Sequence, residues 1–169
     1  MESADIEVEG RGERHAGRAA RAVVLKEAAT AGELAGYFAL RREVFVLEQG
    51  LFSGSDLDEH DALAIPIVAL LEGEVVGVVR CYRKSRGIWY GGRLAVHRQY
   101  RTGTLGARLV RRAVETMERR GDVRRFFATV QVENVRFFER LGWEKRGQVF
   151  RLQGHAHQLM EKPLGRGTS

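Results

Sequence analysis

Residues 91–121, GGRLAVHRQYRTGTLGARLVRRAVETMERRG, constrain this chain more than any other stretch. They read as a strand, a short basic turn and a long amphipathic helix. Leu105, Leu109, Ala113 and Met117 recur at helical spacing, with Val110 and Val114 alongside, so one face of a helix over 103–120 must be buried. Glu115 precedes Arg119 by four residues, the favourable order for an ion pair on the outer face. Gly121 is placed to close the helix. The turn sits where the first helical N–H groups have no carbonyl to bind, so strand, turn and helix together make an anion site from backbone alone, suited to a phosphate-bearing ligand.

With 169 residues the chain is expected to form one domain over 22–163, between a disordered tail at 1–21 and a flexible one at 164–169. Such a domain buries roughly two-thirds of its unfolded surface and needs no disulfide or metal staple. The single cysteine, Cys81, has no internal partner, which points to a reducing, cytoplasmic setting. No apolar run is long enough for a membrane span, and the N-terminus lacks a signal-peptide core. The net charge of +6 is uneven. Eight arginines face two acids between Arg93 and Arg120, whereas six acids and no Lys or Arg lie between Glu43 and Asp61. A basic patch beside an acidic loop suits an anionic ligand meeting a cationic or amine substrate, although two solvated faces explain the same pattern.

Along the chain, a strand begins at Val23 and an amphipathic helix spans 32–47, broken near its end. A Gly-, Ser- and Asp-rich loop follows over 49–64. Apolar runs at 67–71 and 75–82 flank a tight hairpin at Glu72-Gly73-Glu74. A third strand spans 88–96. After the long helix come a strand at 126–132, a short helix at 134–141 and a hairpin of strands 143–152 and 156–160 about Gln153-Gly154. The class is therefore α/β (α+β) with a mixed sheet.

In this order the elements resemble the GCN5-related N-acetyltransferase (GNAT) superfamily over roughly residues 22 to 163. Its cofactor motif, Arg/Gln-x-x-Gly-x-Gly/Ala, is met by Arg101 and Gly106, with Thr104 at the middle glycine and Gly103 one residue early, where it is expected to supply the backbone freedom instead. Its second motif, Asn-x-x-Ala-x-x-Phe-Tyr-x-x-x-Gly-Phe, aligns with Gln131, Asn134, Phe137-Phe138 and Gly142-Trp143. Phe138 stands where many members carry a tyrosine that protonates the departing thiolate. RREVFVLEQ at 41–49, the Asp56-x-Asp58-x-x-Asp61 loop and His157-x-x-Met160 resemble the narrower ElaA-like branch, with a further likeness to acetyltransferases encoded beside bacterial nitrilases. The resemblance implies a mostly antiparallel central sheet of six or seven strands flanked by about four helices. It also implies acetyl-CoA as cofactor, a small amine as acceptor and, commonly, a homodimer.

The resemblance implies specific roles. Backbone amides from Arg101 through Thr102, Gly103, Thr104, Leu105, Gly106 and Ala107 would hold the diphosphate, with Arg98 and Arg101 adding charge. Leu94, Ala95 and Val96 would pair with pantetheine as an added strand, an amide near Ala95 or Val96 polarising the thioester. Gln131, Asn134, Phe137 and Phe138 would complete the cofactor groove. An alkylammonium of pKa about 10 must lose a proton before it attacks. Glu48 and His157 rank first as the base, ahead of the Asp56/Asp58/Asp61 loop, His97 and His155, and Tyr90 is the remaining hydroxyl for an acid. Cys81 as a nucleophile is weaker than Cys81 as a small buried hydrophobe. No metal site is expected. Two other classes stay open. One is a catalytically degenerate acyl-CoA-binding regulatory module, motivated by Phe138. The other is a nucleic-acid binder, motivated by a pI near 10.0 but short of interleaved exposed aromatics.

Overall fold

The computed structural model describes residues 22–165; the expected tail at 1–21 and the last four residues lie outside it. A seven-stranded sheet has the order β1-β2-β3-β4-β5-β7-β6. The strands are β1 (Val23–Glu27), β2 (Ile65–Leu71), β3 (Glu74–Ser85), β4 (Ile88–Val96), β5 (Arg125–Gln131), β6 (Glu144–Leu152) and β7 (His155–Lys162). Every neighbouring pair is antiparallel except β4 and β5. Three α-helices cover it: α1 (Ala31–Arg41), α2 (Leu105–Arg119) and α3 (Val135–Arg140). Alongside them run a π-helical segment, Arg42–Glu48, and single 3₁₀ turns at 98–100 and 132–134.

Both hairpin signals are realised. Glu72 and Gly73 have φ of 51° and 83°, and Gln153 and Gly154 have 51° and 80°, the left-handed pair that matches strand twist in a two-residue turn. Helix α1 starts on a capping box. The Glu33 amide donates to Thr30 Oγ1 and the Thr30 amide donates to Glu33 Oε1, both at 3.1 Å. The expected break falls at Arg42, where the helix widens into a π segment, Arg42–Glu48. There the Gln49 amide reaches back five residues to Val44 O at 3.0 Å. The wider turn carries Val44 and Phe45 into the core and leaves Glu48 at its end.

Helix α2 lays Leu105, Leu109, Val110, Ala113, Val114 and Met117 against one face of the sheet. Each Leu, Val or Met buried there contributes about 1.5–3 kcal/mol. Close approach depends on Gly77 of β3, where a Cβ would lie 2.7 Å from Leu109 Cδ1. Helix α1 and the π segment cover the other face with Tyr37, Leu40, Val44 and Phe45 against Val68, Val78 and Ala95. Leu164, placed by the sequence reading in a flexible tail, packs partly buried against the α2-side core.

Candidate active site

The site begins where two strands part. β4 and β5 pair in parallel only from Ile88↔Arg125 to Gly91↔Ala128. Beyond that, β4 stays with β3 through Val78↔Ala95 and Gly77↔Val96, while β5 stays with β7 through Gln131↔His157. The sheet therefore opens as a wedge between residues 92–96 and 129–131. At the parting point β4 carries Gly91, Gly92 and then Arg93, a non-glycine residue at φ 50° beside a register shift against β3. This bulge re-aims the strand. Leu94 and Val96 turn to the α2 side, and Ala95 to the α1 side.

The mouth of the wedge is the start of α2. Thr102, Gly103 and Thr104 are exposed, Leu105 is buried in the core, and Gly106 and Ala107 are half-buried. Thr104 has φ −97° and ψ 10°, its carbonyl accepts from the Arg108 amide at 2.9 Å, and its side chain does not cap the helix. None of residues 101–106 has a positive φ. That corrects the role expected of Gly103: the loop needs no left-handed residue, so threonine fits at the middle-glycine position without strain. A Cβ on Gly103 would meet nothing within 4 Å, whereas one on Gly106 would lie 3.9 Å from Phe137 Cζ, where α3 abuts the first turn of α2. Arg98 is exposed. The Arg101 side chain turns inward, donating from Nε to Val96 O at 2.8 Å and pairing through Nη2 with Glu48 Oε2. It ties the loop to the open end of β4 and to the π segment.

Two small cavities meet at the parting point and share Gly91 and Gly92. The one toward α2 encloses about 20 Å³ and is apolar, walled by Leu94, Ala113, Phe126, Phe138 and Trp143 among others. The one toward α1 encloses about 10 Å³ and is lined by Arg80, Tyr82, Tyr90, Arg93 and Thr129. An apolar chamber and a polar one thus share the backbone of Gly91 and Gly92.

The acidic loop has a different role from the one its composition suggests. Arg41, Arg80 and Arg93 are all at most 1 % exposed and grip Asp56, Asp58 and Asp61. Arg80 holds Asp58 with two bonds of 2.7 Å. Asp61 accepts from Arg41 Nη1 at 2.6 Å, Arg41 Nη2 at 3.0 Å and Arg80 Nη1 at 2.9 Å. Arg93 Nη2 donates to Asp56 O at 2.8 Å, and its guanidinium lies 4.4 Å from the centre of the Phe52 ring. Burial alone would raise the Asp61 carboxyl, but the Arg41 bonds and charge, the Asp58 amide and Arg80 outweigh it and hold it at about 2. Burial and the neighbouring Arg80 and Arg41 pull Arg93 down to about 10. The three aspartates thus form a clamp with three buried arginines, which argues against Asp58 and Asp61 as bases, while Glu59 stays exposed outside it. The signal in the sequence was an arginine inside each of two apolar runs, Arg80 within 75–82 and Arg93 within 88–96.

This architecture has known counterparts. A sequence profile of the acetyltransferase (GNAT) family matches residues 38–143. The chain belongs to the GNAT acetyltransferase family. A candidate acetyltransferase of Bacillus subtilis (strain 168) is 30% identical over 131 residues, which span 74% of this chain and 86% of that protein. Escherichia coli ElaA superposes with a TM-score of 0.75 at 20% identity, over 84% of this chain and 100% of that one. An acyl-CoA N-acyltransferase from Pseudomonas aeruginosa gives 0.74 at 23%, over 84% and 99%. At these identities the two structures speak for a shared fold.

The remaining candidates of this GNAT chain sit as follows. Phe138 is 2 % exposed, meets Trp143 edge-on with ring centres 5.4 Å apart, and walls the apolar chamber. Asn134 is buried beneath α3 and Gln131 is half-buried at the open end of β5. Tyr90 lies on the opposite face from Phe138, between Tyr82 and Phe127 with ring centres 6.0 and 5.6 Å away, and burial raises its hydroxyl. It therefore does not stand in for the missing tyrosine by position. His157 is buried on β7 opposite Gln131, on Tyr90's face, with Nδ1 2.9 Å from His155 O. His60, which the sequence reading passed over, stacks on Tyr82 at 4.1 Å. Cys81 is fully buried in the α2-side core, and burial pushes its thiol up to about 12, so it is no nucleophile. Among the described residues no helix is long and apolar enough to cross a membrane.

Proposed function

We propose that this GNAT acyltransferase moves an acetyl group from acetyl-CoA to the primary amine of a small molecule by direct attack in a ternary complex, in the cytoplasm. The observation that carries the reading is the parting of β4 from β5 at Gly91, with the start of α2 at the mouth and one chamber on each side. Amides from residue 102 to 107 suit a diphosphate, supported by the helix dipole. The open backbone of Leu94–Val96 suits the amides of a pantetheine arm, and an N–H at Ala95 or Val96 would polarise the thioester carbonyl. Arg101 adds charge once it turns from Glu48 to the phosphates. Released from Arg101, Glu48 takes the ammonium proton, with His157 as the second choice. The amine nitrogen then bonds the carbonyl carbon, the C–S bond breaks, and the electron pair leaves on sulfur. Phe138 has no proton to give and Tyr90 lies on the opposite face, so the thiolate departs as such and takes its proton from water. The acceptor enters from the α1 side, over Tyr82, Tyr90 and Thr129.

Calorimetry with CoA, followed by thiol release over an amine panel, tests the reading. Micromolar binding with amine-dependent thiol release supports it. Micromolar binding without release from any amine supports a regulatory acyl-CoA-binding module, the reading that Phe138 favours. Absence of micromolar binding refutes both.

A further inference from the structure

We infer that the donor site takes acyl groups one or two carbons longer than acetyl, and that the apolar chamber at the β4–β5 parting holds the extra carbon. This rests on the acyl-CoA reading and goes beyond it by naming the donor class. The chamber starts at Gly91 and Ala128, the last residues that β4 and β5 pair. A chain laid along Leu94–Val96 and running inward from the mouth reaches the point where both chambers border Gly91 and Gly92, and an apolar acyl terminus partitions to the apolar one. The walls are almost wholly apolar, and Leu94, Ala113, Phe126, Phe138 and Trp143 are each no more than 4 % exposed. Its 20 Å³ is just above the roughly 10–15 Å³ that admits one water-sized group. A chamber so poor in polar wall gives water little to bond, whereas a methyl or methylene fits it. The small residues are what keep it open: Gly91 and Gly92 present no side chain and Ala113 only a methyl. A Cβ on Gly91 would already lie 3.0 Å from Phe126 Cζ. A tyrosine at position 138 would add a hydroxyl to this wall; phenylalanine keeps it apolar. The missing hydroxyl and the chamber are then one adaptation, to acyl size.

The test is calorimetry on the full chain with CoA, acetyl-, propionyl-, butyryl- and octanoyl-CoA, which needs no knowledge of the acceptor. We expect propionyl-CoA to bind about fourfold tighter than acetyl-CoA, the factor for one buried methylene. Butyryl-CoA should match or exceed it and octanoyl-CoA should fall back. In Ala113→Val the propionyl-to-acetyl affinity ratio should drop to about one; the wild-type series stands alone if that variant misfolds. Affinity that is flat or falling from acetyl onward overturns the inference while leaving the acyl-CoA reading intact. Affinity that climbs steadily through octanoyl-CoA overturns the closed chamber. No binding by any of the five removes the acyl-CoA reading itself.

Discussion

Asp61→Asn probes the clamp most sharply. The change keeps the side chain's shape and removes its charge. In the wild type, three guanidinium N–H groups and the Asp58 amide at 3.0 Å converge on the two Asp61 oxygens. Asparagine keeps one acceptor oxygen and turns an NH₂ toward Arg41 or Arg80, so at least one charged donor loses Asp61 as an acceptor while both cations stay buried. Hydrogen bonds to charged groups contribute about 1.5–3 kcal/mol, and breaking one side of a buried ion pair costs about 3–5 kcal/mol. We therefore expect a loss of about 3–5 kcal/mol at pH 7, a shift of about 2 M in the urea midpoint at an m-value of about 2 kcal/mol/M. The pH dependence supplies a second reading. The Asp61 carboxyl is held at about 2 against an ordinary 3.8, and its side chain is 11 % exposed. At 1.36 kcal/mol per unit, that depression contributes about 2 kcal/mol. A depressed carboxyl stabilises fully above its unfolded pKa and ceases to do so as pH falls through its folded one. The wild type should therefore lose this component between about pH 4 and pH 2, and Asp61→Asn should not. A midpoint shift under 0.5 M, or parallel acid profiles for the two proteins, would refute the clamp as a source of stability.

Arg101→Ala should weaken CoA binding about tenfold or more, roughly 1.4 kcal/mol, read by calorimetry; unchanged affinity removes Arg101 from the site. Glu48→Gln and His157→Gln should each lower kcat with CoA affinity held within about twofold, and full activity in both variants would mean that neither is the base. Gly77→Ala should destabilise by about 1–3 kcal/mol in denaturant unfolding, since its Cβ would overlap Leu109 Cδ1 at 2.7 Å; a neutral outcome would mean that α2 shifts freely over β3. Native protein should resist iodoacetamide at Cys81 over hours at pH 8, and rapid alkylation would contradict the burial of that thiol.

Much of the fold could be read from local patterns because the patterns are local in cause. The α2 stripe, the two left-handed turn pairs and the strand at 88–96 depend on neighbours within a few residues. The π segment escaped, since a change from fourth- to fifth-residue bonding leaves apolar spacing nearly as it was and shows only as a break after Arg41. The departure from the motif's glycine at Thr104 needs no left-handed neighbour, because its angle of −97° suits any residue. The acidic loop was misjudged for another reason. The charges of its aspartates are cancelled by arginines from α1, β3 and β4, and no count along one segment reveals partners 15 to 37 residues away. The parting point was visible as Gly91-Gly92, but the chambers on either side exist only once α2, α3 and β5 are assembled.

The clamp also divides the labour of change within the 49–64 loop. Its aspartates answer to three buried cations and cannot drift singly, whereas Leu57 and Leu63 between and beyond them are 59% and 88% exposed and answer to nothing in the fold. Exchange should therefore be free at those two leucines and resisted at the carboxylates, so variation in this loop should gather where it touches water.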